Sequence, residues 1–274
     1  MRIDLRKLNE ITIRDSYPIP LTIVIFNKTP GHKYYSKLEL KSAYFQIRIR
    51  PGDEYKITFV CSLGHFEFRI MPFGFKNAPA CFQRMIDLAL SDYLGKFCYA
   101  YIDDIIIFSD DLFEHYLHVK KVLLQLRKFH LHVNLEKCEF DKFKVKFLGY
   151  YVSSESLKMD IKKVSAILDL SIPTTVKEVQ SFLGLANFYR RLIKNFAKIA
   201  YSLNKLKRKN NTFVWSKDAN DSFELLKRSF TSAPIFIPAD PNSQFFVETD
   251  ASNFALGCIL FQVSSKIIVK KTPK

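Results

Sequence analysis

From Phe97 to Phe108 the chain is apolar except at one place, the adjacent carboxylates Asp103 and Asp104. No Lys or Arg lies within the run. Burying a carboxylate without a partner is strongly unfavourable. The pattern therefore predicts two strands joined at the acids, a hairpin with both carboxylates at its tip, where a divalent cation is a natural partner. The alternative is an acidic turn in solvent, since Asp is common in turns.

A second acid, Glu39, sits inside Lys37-Leu38-Glu39-Leu40. On its own it reads as the outward face of an amphipathic strand. The alternation of Leu38 and Leu40, and later of Ile47 and Ile49, predicts a strand over Lys37–Arg50. Tyr55–Ile70 reads as a hairpin with its loop near Ser62-Leu63-Gly64. Helices are predicted over Pro79–Leu94 and from about Asp111 to Phe129, and short strands around Val133 and over Val145–Val152. Short strands mixed with helices indicate an α+β fold. Beyond it, Thr175–Glu178 forms a capping box ahead of a long apolar helical series, and a further helix is expected over Ser216–Phe230. Pro234, Pro238 and Pro241 mark a linker, and Gln244–Val247 and Phe254–Val263 read as two strands that open a new domain.

Hydrophobic residues at 48% and charged residues at 25% support a packed core and argue against disorder. The net charge of +15 favours a polyanionic partner, with a solvated basic surface as the alternative. The excess is strong over residues 173–232, with 12 Lys/Arg against 4 Asp/Glu. Five cysteines with no C-x-x-C pair suggest neither a disulfide framework nor a zinc site. No signal peptide and no apolar run of membrane-spanning length is visible, which points to an intracellular setting. His115 and His118 have metal-compatible helical spacing, but structural packing is the favoured reading. The aromatic content could stack bases, although most aromatics follow core periodicity.

Taken in order, several strings resemble the reverse transcriptases of Ty3/gypsy-type retrotransposons. They are RIDLRKLN at 2–9, YSKLELKSAYFQIRI at 35–49, GHFEFRIMPFGFKNAPACFQ at 64–83, YIDDIIIFS at 101–109, KCEF at 137–140 and FLGYYVS at 147–153. SFLGLANFYRRLIKNFAKIA at 181–200, TSAP at 231–234 and VETDAS at 247–252 follow. The resemblance implies a right-hand polymerase with fingers and palm over 1–153, a helical thumb and connection over 154–240, and an incomplete RNase H-like segment over 241–274. It implies RNA-directed DNA polymerase activity by two-metal nucleotidyl transfer. The expected partners are an RNA/DNA template–primer hybrid, deoxynucleoside triphosphates and Mg²⁺, with Mn²⁺ as a possible substitute. By matching position, Asp103, Asp104 and Glu39 would be catalytic metal ligands. Tyr44 would exclude a ribose 2′-hydroxyl, and Phe73 and Gly74 would form the nucleotide-pocket loop. Arg6 and Lys76 to Ala80, Pro79 included, would contact the template side, and Phe147, Leu148 and Gly149 would grip the primer. Asp250 matches the first metal ligand of an RNase H domain.

Three departures bear on activity. The family carries Asp where this chain has Glu39, and a carboxylate displaced by ~1 Å can cost about 10²-fold in rate. The basic fingers residues that clamp a triphosphate in the family would lie upstream of residue 2. The remaining RNase H acids would lie beyond residue 274, so no RNase H activity is expected. A catalytically inactive nucleic-acid-binding remnant and a degenerate transposon-derived reading frame are the rival readings.

Overall fold

The computed structural model describes residues 3–190, 193, 195–207, 213–231, 244–251 and 256–262. Two short helices, α1 (Arg6–Ile11) and α2 (Thr22–Lys28), precede strand β1 (Tyr34–Glu39). The hairpin of β2 (Thr58–Cys61) and β3 (Gly64–Glu67) pairs with Cys61 opposite Gly64, so its loop falls where the sequence placed it. Helix α3 (Ala78–Ala89) carries Pro79 in its first turn, where a missing N–H costs nothing. It ends sooner than the predicted Leu94. Strands β4 (Cys98–Tyr101) and β5 (Asp104–Ser109) follow, then helix α4 (Leu112–Lys128). The Asp111 carboxylate caps α4 by accepting from the Glu114 N–H.

One correction concerns the long strand read over Lys37–Arg50. β1 stops at Glu39. Ser42 then adopts a left-handed backbone (φ 51°), and Ala43–Gln46 form a 3₁₀ turn. The turn buries Ala43 and sets the Tyr44 ring edge-on to Phe82 of α3 at 5.9 Å. Packing against α3 thus overrides the local alternation. Ile47 and Ile49 exchange backbone hydrogen bonds with Met71 and Arg69. Val133 makes a single bridge to Leu40 instead of a strand.

The central sheet has the order β4-β5-β1-β6, with β6 spanning Glu139–Lys142, and its ladders are antiparallel. A second sheet joins β7 (Lys144–Phe147), β8 (Tyr150–Ser153) and β9 (Leu157–Met159). The helices α5 (Ile161–Leu168), α6 (Val176–Phe188), α7 (Phe196–Ile199), α8 (Tyr201–Lys205) and α9 (Lys217–Thr231) follow. β10 (Phe246–Ala251) and β11 (Leu256–Phe261) form a separate antiparallel pair. The proline-marked linker lies outside the described residues. Among the described residues, no helix is long and apolar enough to cross a membrane.

β5 explains the uninterrupted apolar run. Ile105 and Ile107 face a core built with α3 and α4, whereas Ile106 and Phe108 face a second core shared with β7–β9 and α5–α9. A strand buried on both sides has no polar face to alternate. The second core contains Val179, Phe182, Leu183 and Ala186 of α6 against Phe223 and Leu226 of α9, with the Phe182 and Phe223 rings 4.6 Å apart. Its entry is set by the predicted cap: the Glu178 N–H donates to Thr175 Oγ1 at 3.2 Å, and Thr174 donates to Glu178 Oε2.

Candidate active site

The β4–β5 connection is a two-residue loop, Ile102-Asp103, closed by the pairing of Tyr101 with Asp104. Ile102 has φ 54°, a conformation that suits glycine and strains a β-branched residue. Two contacts hold it. Buried Gln83 of α3 accepts the Ile102 N–H on its Oε1 at 2.7 Å and donates to Asp87 at 2.8 Å. The Leu40 N–H donates to the Asp103 carbonyl at 2.9 Å. Strain fixed by surrounding contacts is a recurrent property of functional turns.

β1 brings the third carboxylate. Glu39 stands directly opposite Asp104 in the β1–β5 ladder, and alternation puts both on the same sheet face as Lys37. The Lys37 ammonium lies 3.1 Å from Asp104 Oδ1 and 3.7 Å from Glu39 Oε2. A second cation arrives from the turn after α4. The Asn134 N–H donates to the Glu39 carbonyl at 2.8 Å, which sets Leu135–Lys137 beside β1, and Lys137 Nζ donates to Glu39 Oε1 at 2.5 Å.

The two aspartates are electrostatically stressed. Burial, then the charges of Asp104 and Glu39, push the Asp103 carboxyl above the usual carboxylate range. Asp104 is likewise raised, chiefly by burial and against the opposing pull of Lys37. Asp104 Oδ1 is buried without a directed hydrogen bond, although the Lys37 ammonium is near. At 3.1 Å the two form an ion pair, and Lys37 is the cation that offsets the burial of Asp104. Carboxylate oxygens are hard donors, the chemistry that suits Mg²⁺. Among the described residues, no three His, Cys, Asp or Glu side chains are grouped so as to hold a metal ion.

Burial, and then the charge of Asp103, pushes the Tyr44 hydroxyl above its ordinary value. Phe73 packs edge-on to Tyr44 at 5.1 Å and to Phe45 at 4.9 Å, and Gly74 takes φ 93°. Lys76 is turned elsewhere: its ammonium donates to the carbonyls of Asn9 and Thr12 and so ties the end of α1 to the 73–77 loop. The Asn9 side chain completes that tie through Gly74 O and the Lys76 N–H. Arg6 is exposed and paired with Asp4. Phe147 is fully buried, while Leu148 and Gly149 turn through φ 45° and 81°. The Gly149 carbonyl accepts from the Tyr189 hydroxyl at 3.2 Å. Asp250 lies in β10, opposite Gly257.

Three participants escaped the sequence reading. Lys37 read as the polar side of an alternating strand, Lys137 as part of KCEF without a role, and Gln83 as a helix residue. The one available signal was Gln83, a polar residue between Phe82 and Met85 on an otherwise apolar helix face.

Residues 1–152 match the family described as reverse transcriptase (RNA-dependent DNA polymerase), and residues 215–269 match the RNase H-like domain found in reverse transcriptase. The chain is 41% identical over 273 residues to the retrovirus-related Pol polyprotein from transposon opus of Drosophila melanogaster, covering 96% of this chain and 27% of that protein. It is 36% identical over 262 residues to the transposon Tf2-3 polyprotein of Schizosaccharomyces pombe, covering 96% of this chain and 20% of that protein. The chain thus spans about a quarter of the length of the curated relatives it matches. A foamy viral protease-reverse transcriptase solved in complex with double-stranded DNA superposes with a TM-score of 0.82 at 25% identity, over 91% of this chain and 44% of that one. The same enzyme type with an RNA/DNA hybrid gives 0.79 at 23% identity, over 94% of this chain and 37% of that one, and speaks for the right-hand polymerase fold alone. The chain belongs to the reverse transcriptase (RNA-dependent DNA polymerase) family.

Proposed function

We propose that this chain performs template-directed DNA synthesis, at a rate reduced by Glu39. The observation that supports it is the strand register that sets Glu39 opposite Asp104, with Asp103 next to it in a strained turn. Glu39, Asp103 and Asp104 would hold two Mg²⁺ ions, or Mn²⁺ as a substitute. The chemistry that bound cations supply there is charge stabilisation on the attacking primer oxygen and on the leaving group. Lys137 reaches Glu39 on a flexible, solvent-exposed stem, so a side-chain rotation removes that partner and leaves Lys37 at 3.7 Å. Tyr44, backed by Phe73 and Phe82, would close the sugar side of the pocket, with Gly74 leaving room in the loop.

The template–primer would be an RNA/DNA hybrid or DNA duplex, the ligands present in the foamy viral structures. Residues 1–153 would supply fingers and palm and 154–240 thumb and connection. Phe147, Leu148 and Gly149 at the junction would grip the primer, and Arg6, Lys76 and Pro79 would stand on the template side. Residues 241–274, with Asp250, would belong to the RNase H-like part, whose family match also takes in α9.

Primer extension with the unaltered chain and its Glu39→Asp variant tests the reading. A rate rise of about 10²-fold in the variant is expected, and equal rates would refute the impairment. The pairing of the acids with Lys37 and Lys137 favours a second reading, an inactive nucleic-acid binder. That reading predicts hybrid binding without extension by either form.

A further inference from the structure

On the face of β1 and β5 turned away from the acids, four side chains form one hydrogen-bonded line. The Asp141 N–H donates to Ser36 Oγ at 3.2 Å, and Ser36 Oγ lies 2.8 Å from His115 Nε2. His115 Nδ1 is 2.9 Å from Ser109 Oγ, which is 2.8 Å from His118 Nδ1, and His118 Nε2 stands 3.6 Å from Glu114 Oε1. Ser36 and His115 are fully buried and Ser109 nearly so. His118 stacks flat on Phe97 at 3.8 Å. The line therefore joins β1, β5 and α4.

A hydroxyl has one proton to give, and a neutral imidazole has one donor and one acceptor. Because a backbone N–H only donates, one direction satisfies every group. Ser36 donates to His115 Nε2, His115 Nδ1–H donates to Ser109, and Ser109 donates to His118 Nδ1. His118 Nε2–H then faces the Glu114 carboxylate. The opposite direction leaves the Ser36 hydroxyl proton without an acceptor in the line and turns a bare His118 Nε2 toward Glu114. A proton added at His118 Nδ1 makes both imidazoles donors to Ser109 and strands its hydroxyl proton.

We propose that Ser36, His115, Ser109 and His118 form a pH-sensitive clamp that ties α4 to the acid-bearing strands only while both imidazoles are neutral, as the Nδ1–H tautomer of His115 and the Nε2–H tautomer of His118. The other groups around His115 are Asp141, with Oδ1 3.7 Å from Nε2, and the Tyr34 ring at 6.3 Å. Around His118 they are Glu114 and Lys121, whose ammonium lies 6.0 Å from the Phe97 ring centroid. Burial is the largest influence on both histidines and lowers them below the ordinary value, outweighing Asp141 and Glu114. The unfolded chain then takes up protons first as pH falls. The clamp's contribution is complete above about pH 6.5 and is lost as pH drops through that value toward the lower folded-state values.

Long-range ¹⁵N couplings of the histidine rings at pH 8 read the tautomers directly in the unaltered chain. An unprotonated Nε2 on His115 and an unprotonated Nδ1 on His118 are expected, and the opposite assignment at either ring overturns the proposal. Urea midpoints between pH 8 and pH 5.5 give the second test. The folding constant of the unaltered chain should fall by up to about tenfold per pH unit for each imidazole that must charge. His118→Asn, which keeps an acceptor near the Nδ1 position, should match the unaltered chain at pH 8 and lose less stability at pH 5.5. His118→Leu should be weaker already at pH 8. An unchanged pH slope in His118→Asn, or a His118→Leu midpoint equal to that of the unaltered chain at pH 8, contradicts the clamp.

Discussion

Gln83 carries more of the site than its neighbours in sequence suggest. It accepts the Ile102 N–H of the strained turn. Gln83→Leu should cost about 1–3 kcal/mol, the penalty of a buried donor left unmet, and Gln83→Glu should also lose stability, because it replaces the donor to Asp87 with a second buried carboxylate. Urea denaturation of both variants decides. Asp103 is the reverse case, a group whose charge strains the fold. Burial and two like charges already raise its carboxyl, so Asp103→Asn should melt at a higher temperature than the unaltered chain at neutral pH without metal. A lower melting temperature would show that the acids are not in conflict. Lys137 shares the space of the carboxylates, so Lys137→Met should bind Mn²⁺ more tightly by calorimetry. Unchanged affinity would remove Lys137 as a competitor. The acids and aromatics were legible as strings, because motif order marks them. Lys137 was not, since its partner Glu39 lies 98 residues away and the pairing exists only after folding.

At the level of elements, legibility followed burial. β5 and the capped helix α6 were readable because double-sided burial and capping chemistry leave local marks. The break after β1 was hidden: apolar alternation continues on both sides of it, and the cause is the seating of Tyr44 on Phe82 of α3. The β2–β3 hairpin was read correctly, yet β3 is exposed along its whole length, so its alternation does not report a buried face. Two element-scale changes are informative. Thr175→Ala removes the α6 cap and should cost about 1 kcal/mol. Gly149→Ala puts a side chain at φ 81° with its Cβ 2.9 Å from the Lys163 ammonium and 3.4 Å from Phe188. A loss of about 1–2 kcal/mol from the backbone alone is expected there, and thermal melts that match the unaltered chain would show that the β7–β8 turn is free to relax.

Across the whole molecule, the central sheet divides two cores, and the acids open from the face shared with β7–β9 and the C-terminal helices. The net charge of +15 supplies attraction for a polyanion. If phosphate contacts dominate, log affinity for an RNA/DNA hybrid should fall linearly with log salt, and affinity indifferent to salt would exclude them. The measurement closest to the centre is primer extension with Mg²⁺, comparing Glu39→Asp with the Glu39→Asp/Asp103→Asn double variant. Extension by the first and a loss of about 10²-fold or more in the second are predicted, since removing one carboxylate costs several kcal/mol of charge stabilisation. Equal extension by both, or none from a folded Glu39→Asp variant, would contradict a catalytic site built from these three carboxylates.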